Sequence, residues 1–149
     1  MDEIKQALKA AGFSGEMEDA PDTLETYSHD ASMFEIRPKL VIAPKTAKDV
    51  EVAVKIVAER KAHDGDLSIT ARSAGTDMSG AAINDSIIID FKRHLNEFVK
   101  LDGDKATIQP GMLFRDFDLK TGKYLLPSYP ASRDLASVGG MINNNSGGE

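Results

Sequence analysis

The chain has 149 residues, 41% hydrophobic and 28% charged, which is enough for one domain with its own core. Its formal net charge of -6 argues against a nucleic-acid partner, because phosphate backbones are bound by clustered lysine and arginine. The lack of cysteine excludes disulfides, thiolate metal sites and cysteine nucleophiles, and no apolar run is long enough to span a bilayer.

The first third of the chain predicts one helix and then an irregular connection. Residues 2–11 place apolar side chains at helical spacing, and Gly12 follows as a stop signal. Residues 16–37 mix acids, hydroxyls and single apolar residues, and we assign no firm element there. The acidic start lacks the basic region of a secretory signal, so we expect a cytoplasmic protein, with peripheral membrane association only as part of a complex.

The middle of the chain predicts a parallel β-α-β unit. Residues 40–43 and 86–90 are short apolar runs typical of buried strands, and residues 67–71 predict another strand. Between the predicted strands of residues 40–43 and 67–71, Thr46 and Asp49 resemble a helix capping box. The predicted buried stripe of this helix consists of Val50, Ala53, Val54 and Val57.

The last third predicts an antiparallel hairpin and a helix. Residues 97–101 and 105–109 flank Asp102-Gly103, a strong hairpin signal. Residues 112–120 then predict a helix that ends at Gly122. The apolar residues of that helix are Leu113, Phe114, Phe117 and Leu119.

Two segments rich in small residues are candidates for binding phosphate. Residues 72–80, with Arg72 at the start, follow a predicted strand and can cradle an anion with backbone N–H groups, or can form a plain loop. They fit neither the Walker pattern nor the three-glycine dinucleotide spacing. Residues 137–148 can be a flexible terminus, or can face the first segment across a dinucleotide pyrophosphate. Because a glycine-rich loop is more typical of an interior connection, we expect polypeptide beyond Glu149.

Other chemistry has little support in the sequence. The histidines His29, His63 and His94 are widely spaced and read as solvated surface residues, so we expect no metal site. No Gly-x-Ser-x-Gly elbow is present, so the serines are interpreted as hydrogen-bond donors. The acidic pairs Glu16/Glu18 and Asp102/Asp104 are interpreted as solvated charge rather than as acid–base catalysts.

Several motifs occur in the same order as in a known family. They are residues 27–32 with Pro38 and Val41, residues 43–50, residues 72–80, residues 88–90, residues 109–111, residues 130–132, residues 138–140 and residues 145–148. From about residue 25 to residue 149 the chain resembles the FAD-linked oxidases of the vanillyl-alcohol oxidase and p-cresol methylhydroxylase type, especially the glycolate oxidase and D-lactate dehydrogenase branch.

The resemblance implies an α+β fold of the p-cresol methylhydroxylase (PCMH) type. A small parallel βαβ subdomain would be followed by the start of a mixed, antiparallel subdomain, with FAD lying between two α+β subdomains. Residues 1–149 would be the N-terminal portion of this FAD-binding domain, and residues 1–24 its N-terminal helix and connection.

The resemblance also implies which residues contact FAD. The pyrophosphate would be lined by Arg72, Ser73, Ala74, Gly75, Thr76, Asp77, Ser79 and Gly80. The other side of FAD would be lined by Ser132, Ser137, Val138, Gly139, Gly140, Asn145 and Gly147. Thr76 stands where some relatives bear a histidine bonded to the flavin, which implies non-covalent FAD. Ala74 replaces a more usual glycine and would be strained if that position needs a positive φ.

The implied activity is hydride transfer from a 2-hydroxy acid, of the lactate or glycolate type, to FAD. No catalytic residue is assigned in this chain, because the family's substrate domain follows the segments that match. The substrate would bind only with a C-terminal part or with a partner chain. The alternatives are a non-catalytic FAD- or nucleotide-binding module that needs a partner chain, an inactive fragment, or a nucleotide-sugar reductase of the same flavin fold.

Overall fold

The computed structural model describes residues 1–147, which form five helices and six strands. The helices are α1 (Asp2–Ala10), α2 (Pro21–Thr26), α3 (Ala47–Lys61), α4 (Phe114–Thr121) and α5 (Val138–Asn143). The strands are β1 (Glu16–Glu18), β2 (Leu40–Ala43), β3 (Ile69–Arg72), β4 (Ile87–Asp90), β5 (Phe98–Asp102) and β6 (Lys105–Ile108).

A four-stranded sheet in the order β1-β2-β4-β3 forms the first half of the molecule. Strands β2, β4 and β3 are parallel, and β1 adds an antiparallel edge to β2. All four residues of β2 and of β4 are buried, which explains their uninterrupted apolar runs. The predicted parallel unit is confirmed, and β4 lies between β2 and β3 in the sheet although it follows both in the chain.

Helices α1 and α3 cover this sheet and complete the first core cluster. The predicted capping box is confirmed: Asp49 N–H donates to Thr46 Oγ1 at 3.1 Å, and Thr46 N–H donates to Asp49 Oδ2 at 2.9 Å. The predicted stripe is correct for Ala53 and Val57 but wrong for Val54, which is 50% exposed, whereas Val52 is buried. The buried face is broader than the predicted stripe because α3 packs on the sheet and on α1.

The second half contains the two-stranded β5–β6 sheet and α4. The predicted hairpin is confirmed, with Asp102 opposite Lys105 and a positive φ of 62° at Gly103. Phe114 and Phe117 of α4 belong to a second core cluster with Met112, Ala136, Val138 and Met141. Leu119 is 81% exposed, so it does not belong to the packed apolar face of α4.

Two regions predicted as irregular contain regular structure. The connection of residues 16–37 contributes the edge strand β1 and the short helix α2, which begins with Pro21. The small-residue segment of residues 137–148 contains α5 instead of a continuous loop, and Gly148 lies outside the described residues.

Candidate functional site

The first small-residue loop, residues 72–80, leaves the carboxyl end of β3 beside the end of β4. Arg72 is the last residue of β3 and lies opposite Asp90 in the sheet register. The N–H of Phe91 donates to the carbonyl of Arg72 at 2.9 Å, which fixes the start of the loop. Carboxyl ends of parallel strands are the usual location of ligand sites in α/β sheets.

The Arg72 side chain folds against its own loop. Its guanidinium carbon lies 5.1 Å from the centre of the Tyr27 ring, and its Nη1 donates to the carbonyl of Ala82 at 3.3 Å. Burial lowers the pKa of Arg72, although guanidinium groups stay protonated in proteins. Within residues 1–147 this cation has no carboxylate within 4.0 Å, so its charge is only partly balanced.

Glycine is required at two positions of this loop. Gly75 and Gly80 have φ of 67° and 87°, a region that side chains disfavour. A Cβ on Gly75 would also lie 2.7 Å from Arg72 Nη2. Of the non-glycine residues in the described chain, Asn145 alone has a positive φ, so Ala74 does not carry the strain considered from the sequence.

Asp77 organises the second half of the loop. Its Oδ2 accepts hydrogen bonds from Ser79 N–H at 2.8 Å, Ser79 Oγ at 2.8 Å and Ala81 N–H at 2.9 Å. The hydrogen bond from the Ala81 backbone and those from Ser79 hold the pKa of Asp77 below its usual range. These donors are therefore already engaged, whereas Ser73 Oγ is buried with no partner among the described residues.

A network of polar side chains lies next to Arg72, at the carboxyl end of β4. Tyr27 Oη donates to Asp90 Oδ2 at 2.5 Å, and Arg93 Nη2 donates to Tyr27 Oη at 3.3 Å. Burial, together with the hydrogen bond to Asp90, raises the pKa of Tyr27. The sequence analysis did not assign Tyr27 or Asp90 to the site; the signals were the motif of residues 27–32 and the acid that ends the apolar run of β4.

Arg93 extends this network to the edge strand β1. It donates to Glu16 at 2.7 Å and also to Glu18, so these acids, interpreted from the sequence as solvated charge, are partly exposed and also paired. Burial disfavours the charged form of Arg93, but the hydrogen bonds to Glu16 and Glu18 outweigh it and raise its pKa. The hydrogen bond from Arg93, helped by His94, lowers the pKa of Glu16.

The second segment is held by short backbone contacts. Val138 N–H donates to the carbonyl of Met112 at 2.8 Å, and Gly139 N–H donates to that of Pro110 at 3.0 Å. A Cβ on Gly139 would lie 2.5 Å from the Pro110 oxygen, so only glycine fits this approach. The Ser137 hydroxyl caps α5 by accepting from Gly140 N–H at 3.2 Å.

A shallow cavity of about 300 Å³ adjoins the second segment. Its lining consists of Ile108, Pro110, Gly139, Ile142 and Asn143. Of these residues, the sequence analysis assigned Gly139 alone to the site. Asn145 and Gly147 are exposed residues that follow α5. The carbonyl of Ser132 accepts a hydrogen bond from Ala136 N–H at 2.9 Å.

The two segments are connected through a short relay of backbone contacts. Phe91, bonded to Arg72, lies against Gly111, where a Cβ would come within 2.1 Å of the Phe91 oxygen. The carbonyl of the neighbouring Pro110 accepts a hydrogen bond from the N–H of Gly139. Within residues 1–147 no hydrogen bond joins residues 72–80 directly to residues 132–147. The structure therefore fixes both segments to one framework without closing them on each other.

The histidines are less isolated than the sequence suggests. His29 Nε2 lies 3.6 Å from Glu25 and 4.0 Å from Glu35, and His94 Nε2 lies 2.9 Å from Glu16. The cluster of Glu25, His29 and Glu35 is exposed, and Glu25 already accepts a hydrogen bond from Arg37 at 2.9 Å. This arrangement is explained as a surface network of polar and charged side chains, and we propose no metal site there.

Comparison with known protein families matches residues 38–149, which is more than half of the chain, to the FAD binding domain family. The chain belongs to this family. Over 148 residues this FAD binding domain is 27% identical to D-2-hydroxyglutarate dehydrogenase of Escherichia coli, covering 97% of the chain and 14% of that protein. It is also 27% identical to the glycolate oxidase subunit GlcD of Bacillus subtilis, covering 98% of the chain and 31% of that protein.

Solved structures confirm the fold of this FAD binding domain. Alkyldihydroxyacetonephosphate synthase superposes with a TM-score of 0.80 at 22% identity, over 99% of this chain and 30% of that chain. p-Cresol methylhydroxylase superposes with a TM-score of 0.73 at 23% identity, over 95% of this chain and 28% of that chain. The α+β, PCMH-type fold expected from the sequence is confirmed.

The residues of this FAD binding domain fit a dinucleotide chemically. A half-buried guanidinium and a buried hydroxyl oxygen without a partner on Ser73 suit an anionic pyrophosphate. Among the described residues, no helix is long and apolar enough to cross a membrane.

Proposed function

We propose that residues 1–149 are the N-terminal portion of the FAD-binding domain of a flavin-dependent oxidoreductase that oxidises a 2-hydroxy acid. Both curated relatives described above are named for 2-hydroxy acids, 2-hydroxyglutarate and glycolate. The chain spans 14% and 31% of the length of these relatives, so the groups that handle the substrate would belong to another part of a longer protein or to a partner chain.

The half-buried Arg72 guanidinium carries this proposal. Among the described residues it has no carboxylate within 4.0 Å, and it lies against Gly75, where a Cβ would come within 2.7 Å of its Nη2. A partly desolvated cation with no carboxylate in direct contact is costly to maintain, and an anionic ligand would offset that cost. The pyrophosphate of FAD has the charge and the size for such a site.

We assign the fifteen residues named in the sequence analysis to the FAD site, with one refinement of their roles. The first half of the loop, from Arg72 to Thr76, would supply the donors to the pyrophosphate. Asp77 would act by shaping the second half, because it already occupies the N–H groups of Ser79 and Ala81. The segment around Gly139 and the neighbouring cavity would contact another part of FAD.

When bound, FAD would accept a hydride from the carbon that bears the substrate hydroxyl. The chain's own residues would bind and orient the cofactor. We also propose that FAD is held non-covalently, because Thr76 stands at the first-loop position aligned with the flavin-linked histidine of some relatives, and its hydroxyl forms no such bond.

The test is FAD titration of the whole chain, followed by flavin fluorescence. Gly75→Ala forces a Cβ into the Arg72 guanidinium at a φ of 67°, and Gly139→Ala forces one into the Pro110 oxygen. Each variant is expected to weaken FAD binding about tenfold or more, equivalent to about 1.4 kcal/mol. Gly65→Ala is the matched control, because a Cβ there meets nothing within 4 Å.

Three results would count against the proposal. Wild-type protein that takes up no FAD would refute it, as would equal affinities for Gly75→Ala, Gly139→Ala and Gly65→Ala. After acid precipitation of the loaded protein, the flavin is expected in the supernatant. Flavin that stays with the pellet would refute non-covalent attachment alone.

A further inference from the structure

We propose that Tyr27 is a positioning residue for the first loop: its ring supports the Arg72 guanidinium, and through Arg72 it fixes the conformation of residues 72–80. The consequence for cofactor affinity rests on the proposed function. The effect on the loop itself does not, because it follows from contacts within the chain.

The first step is that two hydrogen bonds of its hydroxyl group hold the Tyr27 ring in place. Its hydroxyl donates to Asp90, the last residue of β4, at 2.5 Å. Arg93, which pairs with β1, donates to the same hydroxyl oxygen at 3.3 Å. The ring is therefore tied to the central strand of the sheet and, through Arg93, to its edge strand.

The second step is that Arg72 depends on this ring. The guanidinium carbon lies 5.1 Å from the ring centre, within the range of a cation–π interaction. Its hydrogen bonds to protein, both from Nη1, reach the carbonyls of Ala82 at 3.3 Å and Tyr27 at 3.5 Å, which is long. With no carboxylate within 4.0 Å in the described chain, the aromatic face of Tyr27 compensates part of this charge.

The third step is that Arg72 and the Tyr27 segment, defined as residues 27–34, contact both positive-φ glycines of the loop. The Arg72 guanidinium fills the space beside Gly75, and Ala31 N–H donates to the Gly75 carbonyl at 3.1 Å. At Gly80, a Cβ would lie 3.0 Å from the Phe34 ring. The loop conformation is thus set by a segment more than forty residues earlier in the chain, with Tyr27 at its base.

The experiment compares Tyr27→Phe with Tyr27→Leu in the whole chain. Phenylalanine keeps the aromatic face and loses the hydroxyl, whereas leucine loses both. The first readout is amide hydrogen exchange without ligand at Ala31, Ser79 and Ala81, relative to Ile42 and Ile88 in the core strands. The second readout is FAD affinity. Lys120→Met is the matched control, because Lys120 lies 5.9 Å from the Phe98 ring, in the other half of the molecule.

Tyr27→Leu is expected to speed exchange at Ala31 and to weaken FAD binding, each by about tenfold, with core exchange unchanged. Tyr27→Phe should give a smaller loss, within about threefold of wild type, because the ring still supports Arg72 although the hydrogen bonds of its hydroxyl are lost. Lys120→Met should change neither readout. If Tyr27→Leu proves unstable, Arg72→Met tests the same contact from its other side and should loosen the same amides.

Unchanged exchange at Ala31 in both Tyr27→Leu and Arg72→Met would overturn the proposal. Equal losses in Tyr27→Phe and Tyr27→Leu would also overturn it, since the hydroxyl rather than the ring would then act. Wild-type protein that binds no FAD, while Tyr27→Leu still loosens the loop, would remove the proposed function and leave the positioning role intact.

Discussion

Single carboxylates organise two of the turns in this chain. Asp49 accepts hydrogen bonds from the backbone N–H groups of Ser14, Lys45 and Thr46, at 2.7, 3.0 and 2.9 Å. Burial opposes ionisation of Asp49, but the hydrogen bonds from Ser14, Thr46 and Lys45 outweigh it and lower its pKa. Asp77 does the same for the first loop. An ionised acid therefore stabilises each turn at neutral pH.

We expect Asp49→Asn to reduce the free energy of unfolding by about 2 kcal/mol at pH 7, because the amide loses the charge that accepts these hydrogen bonds. The folded pKa lies below the unfolded one, so this stabilisation is present above pH of about 4 and is lost as pH falls through the folded pKa. Urea unfolding from pH 7 to pH 3 checks this.

The control for this experiment is Asp104→Asn, which alters an exposed turn residue of the hairpin. It should change the free energy of unfolding by less than about 0.5 kcal/mol at every pH. A difference between wild type and Asp49→Asn that stays constant down to pH 3 would contradict the role of the Asp49 charge.

At the scale of elements, the sequence predicted the structures that depend on adjacent residues. It did not predict those that depend on contacts between distant parts of the chain. A few adjacent residues determine each of the correctly predicted features, which are the apolar runs of β2 and β4, the capping box of α3 and the Asp102-Gly103 hairpin. β1 is a three-residue edge strand that forms only by pairing with β2. α5 contains Gly139 and Gly140, poor helix formers, and is held by Ser137 and by contacts to Met112 and Pro110.

The same distinction applies to the candidate site. Glycines at positions 75 and 80 mark the loop in the sequence, because their φ values are a local requirement. The stacking of Arg72 on Tyr27 joins residues far apart in the chain, and no periodicity or spacing encodes it. The engagement of Asp77 with Ser79 and Ala81 is local, yet it depends on the loop's fold and was not predicted.

Helix α3 offers a matched pair of substitutions that tests its observed face. Val52 is 8% exposed and Val54 is 50% exposed, in one helix and with the same side chain. Val52→Ala should lower the free energy of unfolding by about 2 kcal/mol, because it removes packed methyl groups. Val54→Ala should change it by less than about 0.5 kcal/mol. Urea unfolding of both variants decides the face, and the reverse order would restore the stripe predicted from the sequence.

At the scale of the whole molecule, the described residues contain two hydrophobic clusters with no buried member in common. The first cluster joins α1, α3 and the parallel sheet, and the second joins α4, α5 and the hairpin. The backbone contacts of Gly111 with Phe91 and of Pro110 with Gly139 connect them. We therefore expect the two halves to open separately under native conditions.

Phe117→Ala should remove about 3 kcal/mol of stability from the second cluster, because it deletes a buried ring. Hydrogen exchange should then accelerate in β5 and β6 and stay slow in β2 and β4. Phe13→Ala, in the first cluster, is the matched control and should give the opposite pattern. Equal acceleration in both halves for either variant would show a single cooperative unit.

The position of β4 has a consequence for how the chain assembles. β4 lies between β2 and β3 but follows both in the sequence, so the centre of the sheet stays open until residues 87–90 have been synthesised. The loop of residues 72–80 leads from β3 towards β4, and insertion of β4 also anchors Phe91 to Arg72. During synthesis the loop of residues 72–80 therefore takes its final form only after β4 has inserted, and a ligand that needs that loop cannot guide the earlier strands into place.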